Sequence, residues 1–129
     1  MLQTARMDPE LATSSFVKVL VTDAERSARF YEALGFERVA AEPPFIRLRW
    51  GERAEVYLVT PPAGLKLEGR RGVGVQLGFR VGEVGLDEVA TRARAEGASV
   101  EGPVVQPWYT RELVVTDPDG YRLNFIEPA

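Results

Sequence analysis

The chain has 129 residues, a formal net charge of −3, and 45% hydrophobic against 27% charged residues, the proportions of one soluble globular domain. This charge balance excludes a general basic field for nucleic acid, and no apolar run approaches the ~20 residues of a membrane span. There is no cysteine and no histidine, which removes disulfides, thiolate metal sites, a thiol nucleophile, the commonest general base and the commonest transition-metal ligand. Any metal would need oxygen ligands, which favours magnesium, calcium or manganese. Residues 1–13 lack the apolar core of a signal peptide and are expected to form a flexible polar arm, with Met1 and Met7 both available as starts. A cytoplasmic location is the expectation.

Phe16 to Thr22 alternates and is rich in Val, so a strand is predicted. Asp23 is the expected N-cap of a helix over Ala24 to Leu34, with Ala28, Tyr31 and Leu34 as its apolar stripe, Phe30 beside it, and Gly35 just past its end. Phe36 to Ala40 reads as a short strand, broken by Glu42-Pro43-Pro44. Phe45 to Trp50 and Ala54 to Val59 read as two strands joined by a tight turn at Gly51-Glu52-Arg53. Residues 61–74 carry the Pro and Gly of a linker.

The order then repeats. Val75 to Val81 is a predicted strand, Leu86 to Ala95 a helix ended by Gly97, and Ala98 to Val100 a short strand broken by Gly102-Pro103. Arg111 to Thr116 and Tyr121 to Ile126 form a hairpin around Asp117-Pro118-Asp119-Gly120, with Trp108 and Tyr109 at its entrance. Val21 matches Val81 sixty residues on, Gly35 matches Gly97 at sixty-two, and Pro61 matches Pro128 at sixty-seven. The expected fold class is therefore α+β. Two βαβββ modules in tandem, residues 14–60 and 75–128, should form a curved mixed sheet with helices on its convex face, within one domain over 14–129.

Alternation separates two faces. One is apolar and is assigned to the helices: Val17, Val19, Val21; Ile46, Leu48, Trp50; Val56, Leu58; Leu77, Phe79, Val81; Leu123, Phe125. The other mixes aromatic, amide and guanidinium groups: Phe16, Lys18, Leu20; Arg47, Arg49; Glu55, Tyr57, Val59; Gln76, Gly78, Arg80; Arg122, Asn124, Ile126. A purely solvated face would be polar throughout, whereas a ligand site combines apolar walls with a few fixed polar groups. On this face, Lys18, Arg47, Arg49, Arg80 and Arg122 either build an anion site or pair with Glu55, Glu112 and Glu127. Gln76 and Asn124 either orient a ligand or bond each other. Trp108 and Tyr109 are stacking walls or plug a strand edge or dimer interface. Glu55 beside Tyr57 is the one candidate base for metal-free catalysis. Asp117 and Asp119 read as turn formers, not as a catalytic pair.

The paired modules, DAERSARFYEALGF in the first and PWYTRELVVTDPDGYRLNFIEP at the end, resemble the vicinal oxygen chelate superfamily across residues 14 to 128. That group includes glyoxalase I, extradiol dioxygenases, fosfomycin resistance enzymes and bleomycin resistance proteins. The resemblance implies four metal-ligand positions on inward-facing strands, which fall here on Phe16, Tyr57, Gln76 and Asn124, with Glu55 two residues from Tyr57. None of the four is a His or a carboxylate. The resemblance then points to the metal-free, bleomycin-resistance-like branch: a small-molecule-binding protein with no cofactor, commonly a homodimer, suited to an aromatic or anionic compound. The Pro107-Trp108 and Arg111-Glu112 pairs resemble that branch, although Tyr109 stands where a Gly often follows the Trp. The alternatives are a metal-dependent lyase, isomerase or dioxygenase using Glu55 and Glu127 as oxygen donors, and a module that binds another protein.

Overall fold

Helix α1 (Ala24–Leu34) begins where the Asp23 carboxylate accepts the Arg26 amide at 3.1 Å, and ends at Gly35, whose φ of 127° disfavours any side chain. Its buried residues are Ser27, Ala28, Phe30, Tyr31 and Leu34, the stripe expected from the period. The computed structural model describes residues 14–63, 65–69 and 71–129, so the polar arm expected at 1–13 lies outside the described residues.

The strands are β1 (Val17–Leu20), β2 (Glu37–Glu42), β3 (Phe45–Trp50) and β4 (Ala54–Val59), then β5 (Leu77–Arg80), β6 (Val100–Val105), β7 (Thr110–Thr116) and β8 (Arg122–Pro128), with helix α2 (Leu86–Ala95) following β5. They form two four-stranded mixed sheets in the orders β1-β4-β3-β2 and β5-β8-β7-β6. Each opening strand pairs in parallel with the last strand of its module, and the other pairs are antiparallel. The fold is α+β with two tandem βαβββ modules, as the repeat implied; the modules keep separate sheets and share one core.

Several strand boundaries differ from expectation. β1 and β5 are shorter than the alternating runs Phe16–Thr22 and Val75–Val81. β6 runs through Gly102-Pro103, which had been expected to end it. Proline is tolerated there because β6 is an edge strand and its pairing with β7 shifts register between Glu101 and Val104.

The helix-facing sets are buried almost throughout: Val19, Val21, Ile46, Leu48, Val56, Leu58, Phe79, Leu123 and Phe125 all belong to the core, while Val17 at the chain's first strand is exposed. α1 packs on β3 and β4, α2 on β6 and β7, and the helices touch each other. Rings bridge the modules: Phe36 meets Phe79 edge-on at 5.0 Å, and Trp50 lies 5.3 Å from Phe125.

The Asp117–Gly120 turn does more than reverse the chain. One Asp117 oxygen accepts the amides of Asp119 (2.9 Å) and Tyr121 (2.8 Å), and the other accepts the hydroxyl of the fully buried Tyr31 in the first module at 2.7 Å. Asp119 accepts the Thr22 amide at 3.0 Å, the Thr22 hydroxyl at 2.5 Å and the Ser27 hydroxyl at 3.4 Å. The turn formers are thus also clamps between modules. Two further bonds cross at the sheet edges. The Trp50 indole donates to the Arg80 carbonyl at 2.7 Å, and the Tyr121 hydroxyl donates to the Leu20 carbonyl at 2.8 Å. Leu20 and Arg80 occupy the same place in β1 and β5.

Candidate functional site

Because side chains alternate along a strand, the residues opposite the buried core sets share the face of each sheet turned away from the helices. In the first module this open face is aromatic. Phe16 and Tyr57 stack with ring centroids 4.2 Å apart and 10° between planes, and Phe45 lies 5.9 Å from Tyr57. Phe16 is 50% exposed, so one ring of the stack is half open to solvent. The register explains the contact: Tyr57 pairs with Lys18, two residues from Phe16, and with Arg47, two residues from Phe45, so both rings lie diagonal to Tyr57 on the same face.

In the second module the same face is polar and centres on Glu112. One carboxylate oxygen accepts the Thr110 hydroxyl at 2.6 Å and the Trp108 indole at 2.8 Å; the other accepts the Asn124 side-chain amide at 3.2 Å. These donors, the Thr110 hydroxyl foremost, hold the Glu112 carboxyl below the usual carboxylate range, so it is ionised at neutral pH. Asn124 is buried, and its partner is Glu112 and not Gln76, which lies exposed just before β5. Trp108 and Tyr109 sit at the tip of the β6–β7 hairpin, closed by the bonds from the Gln106 amide to the Thr110 carbonyl and from the Tyr109 amide to the Gln106 carbonyl. Both rings are exposed, 62% and 83%, and Tyr109 has a φ of 66°.

Most of the basic residues of this face are occupied. Arg47 pairs with Glu55 at 3.3 Å, Arg49 with Glu37 at 3.6 Å, and Arg122 with Glu101. Lys18 and Arg80 have no ion-pair partner among the described residues. Glu127 is held by Arg111 at 3.0 Å, and its other oxygen accepts the Leu86 amide at 3.3 Å at the start of α2, where Gly85 offers no side-chain cap.

The donor set does not fit a divalent cation. Of the four positions the resemblance assigns to ligands, Phe16 carries no donor atom, Tyr57 is stacked against it, and Gln76 and Asn124 are neutral amides. Glu55 and Glu127 are each engaged by an arginine, and among the described residues no three acidic side chains converge. Glu112, which the sequence offers as an ion-pair partner and in the Arg111-Glu112 pair but not as a candidate site residue, is the polar centre of this face. Its signal was the hairpin register: with the turn at 117–120, Glu112 falls beside Asn124 and on the side opposite Leu113 and Val115.

Comparison with protein families matches residues 13–125 to the Glyoxalase/Bleomycin resistance protein/Dioxygenase superfamily. The chain belongs to this superfamily. Solved structures of similar shape include an integron cassette protein from the mobile metagenome of a Halifax Harbour sewage outfall, at 27% identity and a TM-score of 0.67 over 90% of this chain and 98% of the other. The antibiotic-binding protein TnmS3 from Streptomyces sp. CB03234 aligns at 25% identity and a TM-score of 0.69, over 92% and 98%. A bleomycin-binding protein complexed with bleomycin shares 20% identity with a TM-score of 0.66, over 92% and 100%, a likeness of fold. No curated protein matches the chain. Within the superfamily, the open faces of this member divide into an aromatic half and a half built on one ionised, hydrogen-bonded carboxylate.

Proposed function

We propose that this superfamily member is a metal-free binding protein for a small planar molecule and that it does not transform its ligand. The observation that carries the reading is the Phe16–Tyr57–Phe45 group: stacked rings left half open on a sheet face, with no acidic or imidazole ligand at the four positions a metal would use. Ring stacking provides affinity for a planar ligand, and the Glu112–Asn124–Trp108 group offers an ionised acceptor for a ligand donor. Lys18, Gln76, Arg80 and Tyr109 are the open-face and hairpin-tip groups available for further contacts. Arg47, Arg49, Glu55 and Arg122 act as paired walls, so the aromatic part of the expected ligand class is favoured over the anionic part at this face. The description of TnmS3 as an antibiotic-binding protein and the bleomycin complex of a structural neighbour support antibiotics that carry planar rings as first probes. A homodimer, expected from the resemblance, would present two copies of each face, and sedimentation equilibrium measures it.

The test is a thermal-shift screen of planar antibiotics and organic acids, followed by calorimetric titration. A ligand should bind wild type and lose about tenfold or more in affinity in Y57A, which removes a stacked ring. Binding that is indifferent to Y57A and E112Q sinks the site. One tightly held divalent ion per purified chain sinks the metal-free reading.

A further inference from the structure

The two modules meet at two junctions related by the internal repeat, and only one of them is filled. The correspondence is fixed by register: the amides of Val21 and Val81, sixty apart, donate to the carbonyls of Val59 and Ile126, sixty-seven apart. By the same offsets Thr22 corresponds to Gly82, Leu20 to Arg80, Asp119 to Glu52, and Gly120 to Arg53.

At the filled junction the Asp119 carboxylate reaches across and takes the Thr22 amide, the Thr22 hydroxyl and the Ser27 hydroxyl. At its counterpart nothing does so. Gly82 has no side chain, and its amide has no backbone acceptor among the described residues. Glu52 is exposed and makes no ion pair among the described residues. In place of a plug there is a cleft of about 760 Å³, walled by Trp50 and Phe79, with Arg53, Arg80 and the acidic Glu52 on it. Both arginines are exposed and without an ion pair among the described residues, where the filled junction has a neutral Gly and Leu.

We propose that this open junction binds a small aromatic carboxylate from solution. The ligand's carboxylate takes the Gly82 amide between Arg53 and Arg80, as the protein's own Asp119 carboxylate takes the Thr22 amide, and its ring lies against Trp50. Amide and guanidinium donors converging on one carboxylate give charge-assisted bonds, and an aromatic wall at the side of the cleft selects a planar body. The cleft adjoins the pocket beside Phe16, sharing Arg53, Ala54, Gly78 and Phe79 with it, but its carboxylate-binding group at Gly82 is distinct from the Phe16–Tyr57 stack and goes beyond the function proposed above.

The test is a titration of the ¹⁵N-labelled full chain with naphthalene-2-carboxylate, followed by amide and indole resonances, with naphthalene-2-carboxamide as the neutral control. Saturable shifts are expected at the Gly82 amide and the Trp50 indole. The carboxamide should bind about tenfold more weakly, and R53Q/R80Q should weaken the carboxylate by about tenfold or more while leaving the unliganded spectrum dispersed. The proposal is overturned by absence of a saturable Gly82 shift, by equal binding of the carboxamide, or by R53Q/R80Q binding like wild type. It is also overturned if, without ligand, the Gly82 amide follows a carboxylate titration that disappears in E52Q, because Glu52 would then be the occupant. Shifts confined to Tyr57 and Asn124 would assign the compound to the open face and overturn the junction alone.

Discussion

Removing the Asp117 side chain tests how far the clamp holds the modules together. D117A deletes three acceptor contacts, to the Tyr31 hydroxyl and to the amides of Asp119 and Tyr121. The Tyr31 hydroxyl belongs to a fully buried residue and cannot turn to water, so leaving it unpaired costs about 1–3 kcal/mol. The two turn amides are partly accessible and add about 1 kcal/mol each. The sum, about 3–5 kcal/mol, is a large share of the ~5–15 kcal/mol of an ordinary domain. At about 4 °C per kcal/mol for a chain of this size, the melting temperature should fall by about 12–20 °C. D117N keeps one oxygen for both amides and presents an NH₂ group to a Tyr31 hydroxyl that can turn to accept, so its loss should be near 1 kcal/mol.

Burial raises the Asp117 carboxyl above its ordinary range, with the bonds from Tyr31 and the turn amides opposing it. A folded-state value above the unfolded one means stability present at low pH and lost as pH rises through the folded value. Asn does not titrate, so D117N should gain on wild type between acid and neutral pH. Thermal and urea melts of wild type, D117N and D117A across that range supply the measurement. A D117A melting temperature within about 3 °C of wild type would refute the clamp, since that is under 1 kcal/mol. A D117N deficit that widens toward neutral pH would refute the electrostatic part.

Three further substitutions probe single positions. Y109G should stabilise by about 1 kcal/mol, because φ at this exposed residue is 66°, which glycine adopts freely; a destabilised Y109G in chemical denaturation would show the ring is packed. G102A should destabilise by about 2 kcal/mol or more, because φ is 96° and an added Cβ would stand 2.7 Å from the Glu112 carbonyl; an unchanged denaturation midpoint contradicts this. The Glu112 carboxyl is held low, so its contribution is present above the unfolded carboxylate value and fades as pH falls through the folded one. E112Q should flatten that acid limb, read from the Trp108 indole resonance against pH; an indole that titrates identically in E112Q refutes the assignment.

The period-2 signal places the core residues of most strands, because a one-residue slip would put Leu48, Val56 and Leu123 into water, but it assigns no face to β7, whose Leu113 and Val115 are fully buried. The helix caps Asp23 and Gly35 were equally legible, being local backbone chemistry. What escaped is non-local. Nothing within Asp117-Pro118-Asp119-Gly120 announces that its carboxylates bond residues 86 to 97 positions earlier. The arginines of the open face look alike in sequence, yet Arg47 and Arg49 are paired by cross-strand neighbours whose register only the folded sheet reveals. Pro103 misled for a related reason: whether a strand tolerates proline depends on its being at an edge, and order within a sheet is not written locally.

The reciprocal bonds from Trp50 to the Arg80 carbonyl and from Tyr121 to the Leu20 carbonyl make each half of the chain the guardian of the other's exposed strand. Both acceptors sit on opening strands at the rim of their sheets, the places where a foreign strand could add by backbone pairing. A half-chain ending after β4 would carry its own indole with nothing to cap, and an unguarded β1. Its ready remedy is self-association. Duplication here did more than double a unit: it turned two sticky halves into one chain that shields its own seams.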